Sequence, residues 1–488
     1  MVEEKGLKHW LVGVKCGLSA FGLERRLICL IVGDATSKAL TFLASAFLAR
    51  LVGDVGFGQV SWAQAIVAYS SIIADFGLAV FGTREISKFP DTFPWYAKKV
   101  TFLRFLFGIL SLVTLIGISH FLLKDKQLWY VLVASAVWLI PYSLNLEWAI
   151  QGLEAVQLIG LGRFLRGVSL LGVVFLWSMF SKSVIQAALL STVAEVVAAS
   201  WSLAIALKLV RSVNNHAVGL GWLGSLRAST PLMLATIFTS VYAANFDTIL
   251  IGIYHPPEHV GWYSAAYRIY LMLAVLPKLF LTLYYPRFAR GYIEDTAKLH
   301  ADFQRFLTLC IIYGLPVIAA TFVLAPDMLI LLYGPQYIPA VSLLETLSLG
   351  AVSLLLAAGL PSMLMAAHYE RQALICYLTA MVLNIALNLI AIPVWGEKAA
   401  AWTTVISETA VLVSGIILVH RNLGVSMPSA RKLLAQFLPA TCVLGGGLAI
   451  RAALLSLSIT QSLRISLIAG TSLVLWGMSI MWLAQRQK

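Results

Sequence analysis

Residues 306–325 read FLTLCIIYGLPVIAATFVLA, an unbroken apolar run without a charged side chain. A helix that crosses the hydrocarbon core of a bilayer needs about 20 mostly apolar residues, so this stretch predicts a transmembrane helix. Similar runs recur from about residue 27 to residue 484, separated by short polar gaps. Across all 488 residues, 60% are hydrophobic and only 12% are charged. The sequence therefore predicts an all-α polytopic membrane protein without a soluble domain.

The apolar runs predict about 14 transmembrane helices in two groups of six, followed by two more. We expect a cytoplasmic N-terminal segment (1–26), a six-helix lobe (27–210), a cytoplasmic linker (211–229), a second six-helix lobe (230–420) and two additional helices (421–488). Apolar residues at helical spacing make segment 1–26 either an amphipathic surface helix or a flexible basic tail. The predicted helices lie near residues 27–49, 58–83, 100–123, 128–147, 157–180, 184–207, 231–253, 261–286, 304–325, 340–367, 372–393, 399–419, 434–451 and 464–484.

Basic residues are distributed unequally between the two sides of the predicted membrane protein. With the N-terminus in the cytoplasm, the cytoplasmic segments carry 22 of the 35 Lys and Arg residues and the opposite side carries 7. This asymmetry follows the positive-inside rule and predicts that both termini are cytoplasmic. It also accounts for the net charge of +13 without a nucleic-acid partner.

The sequence carries no motif typical of a soluble catalytic or metal site. The five cysteines are scattered and form no CxxC pair, and there is no GxxxxGK[ST] nucleotide loop or Gly-x-Ser-x-Gly turn. We therefore expect no metal, no cofactor and no enzymatic activity. Residues 1–26 lack an apolar core followed by a cleavage site, so we expect no removable signal peptide.

A local match at an offset of 203 residues indicates an internal repeat. Gly58, Ser61 and Ala63 correspond to Gly261, Ser264 and Ala266, at the start of the second helix of each group. Arg84 and Arg287 correspond where those helices end on the cytoplasmic side. Six helices separate equivalent elements, which predicts a parallel repeat whose axis runs along the membrane normal. Chance matching of small residues is the alternative.

Several short motifs resemble the O-antigen and polysaccharide flippases of the multidrug, oligosaccharidyl-lipid and polysaccharide exporter superfamily. The resemblance covers nearly the whole chain, and each motif falls at the expected helix. The matching stretches are 49–53 (ARLVG), 56–58 (GFG), 74–78 (ADFGL), 82–85 (GTRE), 148–154 (WAIQGLE), 245–247 (NFD) and 261–268 (GWYSAAYR).

The resemblance implies two six-helix lobes in a V around a central cavity. It also implies a multi-pass protein of the bacterial inner membrane that translocates an oligosaccharide carried on undecaprenyl pyrophosphate, by alternating access and without ATP. The implied partners are this lipid-linked oligosaccharide, membrane lipid, and a polysaccharide polymerase and glycosyltransferases, and we expect a monomer. Family members often have twelve transmembrane helices, whereas the related lipid II flippases have fourteen, the number predicted for this chain.

Six basic residues fall inside predicted helices, where a single base costs roughly 2.5–3.5 kcal/mol on insertion scales. Arg163 and Arg166 are three apart and therefore share one helix face, where two guanidinium groups could hold phosphate oxygens. For Arg163, snorkelling to the headgroups is the alternative. The predicted substrate-binding residues are Arg163, Arg166, Arg268, Lys38, Lys278, Asn384 and Asn388. The sixth base, Arg104, lies about one turn inside its predicted helix, so we expect it to snorkel.

Acidic residues inside predicted helices either pair with a base or remain protonated, and either state suits coupling to protons or sodium. The ion-coupling candidates are Asp34, Glu195, Asp247, Glu345 and Glu408. Asp34 lies four residues before Lys38, the favourable order for an intrahelical ion pair, so mutual neutralisation is the leading interpretation there. A salt bridge with Arg268 is the leading alternative for Asp247.

Two other functions compete with flipping. A multidrug exporter of the same superfamily would share the duplicated plan, but a cavity for cationic drugs would not need six intramembrane bases. A membrane polysaccharide polymerase would need a larger periplasmic loop than the longest one predicted, near residues 327–342.

Overall fold

A computed structural model describes residues 23–180, 183–210, 219–243, 246–455 and 461–486. Nearly all of the predicted N-terminal surface segment and residues 211–218 of the predicted linker lie outside these ranges. Every regular element in the described part of the chain is helical, which confirms the predicted all-α class.

Nineteen α-helices are described, and they are numbered here in chain order. They are α1 (Leu23–Asp75), α2 (Leu78–Lys88), α3 (Phe93–Leu122), α4 (Lys126–Ala136), α5 (Leu139–Leu144), α6 (Glu147–Gly152), α7 (Val156–Ser178), α8 (Val184–Val210), α9 (Trp222–Ala243), α10 (Phe246–Tyr254), α11 (Pro257–Leu273), α12 (Val275–Glu294), α13 (Thr296–Leu309), α14 (Leu315–Leu332), α15 (Ala340–Ala357), α16 (Gly359–Ala366), α17 (Glu370–Leu423), α18 (Ala430–Leu455) and α19 (Gln461–Arg486). Two 3₁₀ turns (Pro90–Thr92 and Pro335–Tyr337) and a π-helical segment (Cys310–Gly314) complete the list.

Ten helices in the described part of the chain are long and apolar enough to cross a membrane, so the protein is a multi-pass membrane protein. Two of them are much longer than a bilayer is thick. The 54 residues of α17 would extend about 80 Å, and α1 is nearly as long. Each bends at one glycine with non-helical backbone angles, Gly53 in α1 and Gly396 in α17. Each therefore corresponds to two of the predicted crossings, and the total of fourteen stays a prediction.

Several predicted helices are interrupted by breaks that the apolar pattern does not show. The chain leaves the helix between α1 and α2, where Phe76 and Gly77 have φ angles of 49° and 68°. A Cβ atom on Gly77 would lie 2.5 Å from the backbone nitrogen of Met233, so α9 packs directly against this break. The helix predicted at 128–147 is divided into α4, α5 and α6.

The chain divides into two compact units, residues 1–249 and 250–488. The boundary lies about twenty residues after the predicted start of the second lobe at residue 230. The reason is that α9 packs against α2, and the indole nitrogen of Trp62 donates a hydrogen bond to the carbonyl of Ile249 (3.2 Å). The division into two six-helix lobes and an added pair stays a prediction.

In the first unit, α1 and α7 are in close contact along much of their length. Gly160 makes this approach possible, because a Cβ atom there would lie 2.6 Å from the carbonyl oxygen of Cys29. Gly33 faces the same contact from α1, against the backbone of Gly160. The close crossing places Asp34, the residue after Gly33, beside Arg163 on α7.

In the second unit, the C-terminal helices α18 and α19 pack on each other and on α14. Polar groups reinforce this packing: the indole nitrogen of Trp476 donates to the carbonyl of Ile312 in the π-helical segment (2.9 Å). Arg451 and Arg464 lie 3.9 Å and 3.6 Å from carboxylate oxygens of Asp327. The two additional helices therefore belong structurally to the second unit.

The structure is consistent with the predicted repeat. Arg84 lies over the ring of Phe81 (5.9 Å) and Arg287 over the ring of Tyr284 (5.0 Å). All four residues match at the same offset of 203, and both rings are buried. The repeat itself stays a prediction.

Candidate functional site

Three basic and three acidic side chains meet within the first unit, and we call them the charged cluster. Helix α1 contributes Asp34 and Lys38, α6 contributes Glu147, α7 contributes Arg163 and Arg166, and α8 contributes Glu195. Five of the six are predicted site residues. These five lie on three helices, and the packing of α1, α7 and α8 brings them together.

Arg163 is held by carboxylates from two different helices. Its Nη1 lies 2.8 Å from Asp34 Oδ1, and its Nη2 lies 2.5 Å from Glu147 Oε1. Glu147 occupies the first turn of α6, where the helix dipole favours a negative charge. Arg163 therefore joins α1 to α6, and the alternative that it snorkels to the headgroups stays a prediction.

Arg166 lies one turn further along α7 and pairs with a buried acid. Its Nη1 is 3.3 Å from Glu195 Oε2, and the other oxygen of Glu195 accepts a hydrogen bond from Asn145 Nδ2 (2.9 Å). The Glu195 side chain is only 2% exposed, whereas that of Arg166 is 46% exposed. A carboxylate so deeply buried requires these partners, because an unpaired buried charge is costly.

Lys38 pairs with Asp34 at 2.6 Å, as the four-residue spacing predicts. Asp34 thus lies between two bases, because it also contacts Arg163. The pair is therefore part of the larger charged cluster and is not an isolated neutralised pair.

In each ion pair of the cluster, the base is more exposed than its acid. The carboxylates therefore hold the bases from the protein side and leave the cationic groups accessible. A small open crevice lies beside Arg163 and Arg166, and Asn145, Trp201 and Ser202 also line it. The two guanidinium groups at its border can attract an anionic group. Among the described residues, no group of three His, Cys, Asp or Glu side chains could hold a metal ion.

Arg104 does not snorkel, contrary to the sequence-based expectation. Its side chain is 4% exposed and its Nε lies 2.8 Å from Asp75 Oδ1. Helix α3 begins at Phe93, earlier than predicted, so Arg104 lies about 17 Å along the helix axis from that end. Its guanidinium group is enclosed within the first unit and pairs with a buried acid instead.

The remaining predicted residues lie outside the charged cluster. Asp247 is buried at the start of α10, in the first unit. In the second unit, Arg268 lies near the phenols of Tyr333 and Tyr337. Lys278 is exposed on α12, and Glu345 is half-buried on α15. The predicted pairing of Asp247 with Arg268 would join the two units and stays a prediction.

Other polar residues of the second unit form hydrogen bonds along and between their helix segments. Asn388 is fully buried, donates to Asn384 Oδ1 (3.0 Å) and accepts a hydrogen bond from Thr403. Tyr270 donates to Glu408 (3.3 Å). Asn384 and Asn388 therefore bond to each other, and their predicted substrate contact stays a prediction.

Sequence reasoning missed three members of this polar region: Asp75, Asn145 and Glu147. Asp75 and Glu147 lie at helix breaks that the apolar pattern does not reveal. A usable signal existed for Asp75, because it belongs to the ADFGL stretch that carries the family resemblance. In the second unit, the hydrogen bond between His259 Nδ1 and Glu397 Oε2 (2.6 Å), beside the bend at Gly396, was also missed.

Comparisons with known proteins agree with this architecture. A family model described as polysaccharide biosynthesis protein matches residues 23–292. The proposed O-antigen transporter of Escherichia coli (strain K12) is 24% identical over 347 residues, which cover 67% of this chain and 79% of that protein.

Among solved structures, the lipid II flippase MurJ in an inward closed conformation aligns with a TM-score of 0.66 at 12% identity, covering 94% of this chain and 99% of that one. An inward-facing multidrug resistance MATE family transporter of the MOP superfamily aligns with a TM-score of 0.63 at 14% identity, covering 81% and 98%. At such identities the likeness shows the fold.

Proposed function

Because the chain belongs to the polysaccharide biosynthesis protein family, we propose that it is a flippase for oligosaccharide linked to undecaprenyl pyrophosphate. It would carry an O-antigen or another polysaccharide repeat unit across the bacterial inner membrane by alternating access. The family predicted from the sequence is confirmed by the match over residues 23–292. The substrate is supported by the name of the Escherichia coli relative, an O-antigen transporter.

The observation that carries the proposal is the pair of accessible arginines on α7. A lipid-linked pyrophosphate presents about two negative charges that cannot cross hydrocarbon unaided, so a path for it needs cationic groups. Arg163 and Arg166 lie on one face of α7, are 39% and 46% exposed, and border the same crevice. Planar guanidinium groups suit the oxygens of phosphate.

The charge balance of the cluster supports coupling to an ion gradient. Its three bases and three acids are neutral as a set, so an incoming pyrophosphate must either displace carboxylates or bring cations with it. Protonation of Asp34 or Glu195 would free a base for the substrate. Asp247, Glu345 and Glu408 are further coupling candidates.

The cellular setting follows from the proposed function. We place the protein in the inner membrane with both termini in the cytoplasm, acting as a monomer. Its partners would be membrane lipid, the glycosyltransferases that build the lipid-linked unit and the polymerase that consumes it.

Reconstitution into vesicles tests the proposal. Purified protein in proteoliposomes should expose a lipid-linked oligosaccharide to a membrane-impermeant glycan-modifying enzyme, and a proton or sodium gradient should increase the rate. Arg305→Ala is the charge-matched control for alanine substitutions of Arg163 or Arg166. It removes a base that is 71% exposed and far along the chain from the cluster, so its translocation rate should equal that of the wild type. Vesicles that export a cationic dye but leave the lipid-linked sugar in place would support a multidrug exporter and overturn the proposal.

A further inference from the structure

We propose that Arg104 is a positioning residue for the charged cluster: it fixes the helix break at Asn145, and Asn145 in turn positions Glu195 and Arg166. The proposal rests on the proposed function, because it assigns a role in holding the substrate-binding arginines. Arg104 itself lies too deep to contact substrate, since its side chain is only 4% exposed.

Arg104 connects two interrupted helices. Its Nε pairs with Asp75, the last residue of α1 before the break at Phe76 and Gly77. Its Nη1 donates to the carbonyl of Asn145 (2.8 Å), between α5 and α6. The guanidinium group also donates to the carbonyl of Tyr142 (3.4 Å) and lies over its ring.

The carbonyl of Asn145 needs this donor. In a continuous helix it would accept from the backbone N–H of Ala149, but that N–H bonds instead to Leu146 (3.0 Å). Carbonyls at a helix end lack intrahelical partners, and a nearby cation both bonds to them and offsets the helix dipole. Arg104 therefore stabilises the break itself, and the ion pair with Asp75 compensates its buried charge.

Asn145 then links the break to Glu147 and Glu195, which are ion-pair partners of Arg163 and Arg166. Its Oδ1 accepts from the backbone N–H of Glu147 (3.0 Å), and its Nδ2 donates to Glu195 (2.9 Å). Glu147 holds Arg163, and Glu195 holds Arg166. Arg104 thus fixes the backbone of Asn145. Through Asn145 it sets the positions of Glu147 and Glu195, the carboxylates that pair with the two arginines.

The test compares substrate affinity with maximal rate. Arg104→Gln alone would leave Asp75 buried without its base, so the main variant is the neutral pair Asp75→Asn with Arg104→Gln. We expect a several-fold increase in the KM for lipid-linked oligosaccharide in proteoliposomes, with kcat within about twofold of wild type. Ser111→Ala is the matched control, because Ser111 is buried on the same helix and bonds to the carbonyl of Ser70 (2.9 Å) without touching Asn145; its KM should not change.

A second variant separates positioning from general loosening of the fold. Asn145→Ala should also raise the KM. In the Asn145→Ala background, the Asp75→Asn, Arg104→Gln pair should raise the KM little further. An unchanged KM in the neutral pair would overturn the positioning role of Arg104. So would increases in KM that add fully when the neutral pair and Asn145→Ala are combined. If the neutral pair does not accumulate in the membrane, the test rests on Asn145→Ala alone. An unchanged KM in that variant overturns the proposed positioning role. Wild-type protein that translocates no lipid-linked oligosaccharide would overturn the proposed function, and the positioning role with it.

Discussion

At the scale of single residues, Arg163 and Arg166 differ in how fully their charge is compensated. Arg163 contacts two carboxylates on two helices, whereas Arg166 contacts one, and does so at a longer distance of 3.3 Å. Arg166 is therefore the base that can turn towards an anion with the smaller loss of existing contacts. Its partner Glu195, however, depends on it, because that carboxylate is almost fully buried.

This dependence allows structure and transport to be separated at Arg166. We expect Arg166→Ala to reduce membrane abundance, because it leaves the buried Glu195 without its base, at a cost of about 3–5 kcal/mol. Adding Glu195→Gln removes the stranded charge and keeps a partner for Asn145, so abundance should recover. Translocation should still fall about tenfold or more, because the cationic group is absent.

Quantitative immunoblotting of membranes and the vesicle assay together check this prediction. Glu195→Gln alone is the control: it keeps Arg166, and its membrane abundance should equal that of the wild type. Normal translocation by the Arg166→Ala, Glu195→Gln double variant would show that Arg166 does not bind the substrate.

At the scale of helices, the contact between α1 and α7 depends on glycine. A methyl group on Gly160 would lie 2.6 Å from the carbonyl oxygen of Cys29 and 3.0 Å from the Cα atom of Leu30. Both are backbone atoms that cannot rotate away, so the helices would have to separate. Their separation would also pull Asp34 away from Arg163.

We therefore expect Gly160→Ala to lower the Tm in detergent and to reduce translocation, with an overpacking cost of about 1–3 kcal/mol. Gly172→Ala is the matched control on the same helix, because its added methyl group would meet nothing within 4 Å. That control should keep or raise the Tm, since alanine favours helix by up to about 1 kcal/mol. Equal Tm values for the two variants would show that the close contact is not required.

The crossings could be predicted from the sequence, but their interruptions could not. A helix in lipid must be apolar along its length and must satisfy its own backbone, and this leaves a plain signal such as the run at 306–325. The breaks at Gly77 and Asn145 depend on partners distant in sequence: the backbone of α9 presses on the first, and Arg104 caps the second. No local pattern contains that information.

The same reasoning explains which site residues were found. Arg163, Arg166 and Glu195 are conspicuous as charges inside apolar helices, so the sequence indicated them. Glu147 stands at the end of a predicted helix, where an acid is ordinary, and only the break between α5 and α6 brings it to Arg163.

At the scale of the whole molecule, the orientation in the membrane decides what the charged cluster can do. Arg163 lies about 10 Å from the start of α7, and the predicted topology places that start on the cytoplasmic side. Lipid-linked oligosaccharide assembled on the cytoplasmic face would then meet the cluster early in its passage. In the opposite orientation the cluster would lie near the exit and could not be the first contact for a substrate that arrives from the cytoplasm.

Helix α3 offers a direct test of orientation, because its two ends carry exposed positions at Asp91 and Lys124. The helix has 30 residues, about 45 Å, enough to place those positions on opposite sides of the membrane. In a background in which the five native cysteines are replaced, Lys124→Cys should react with an impermeant maleimide in right-side-out vesicles. Asp91→Cys should react in inside-out vesicles, since the basic residues that follow it favour the cytoplasm. The reverse pattern would place the arginines of α7 on the periplasmic half of the membrane and would exclude them as the first contact for a substrate that arrives from the cytoplasm.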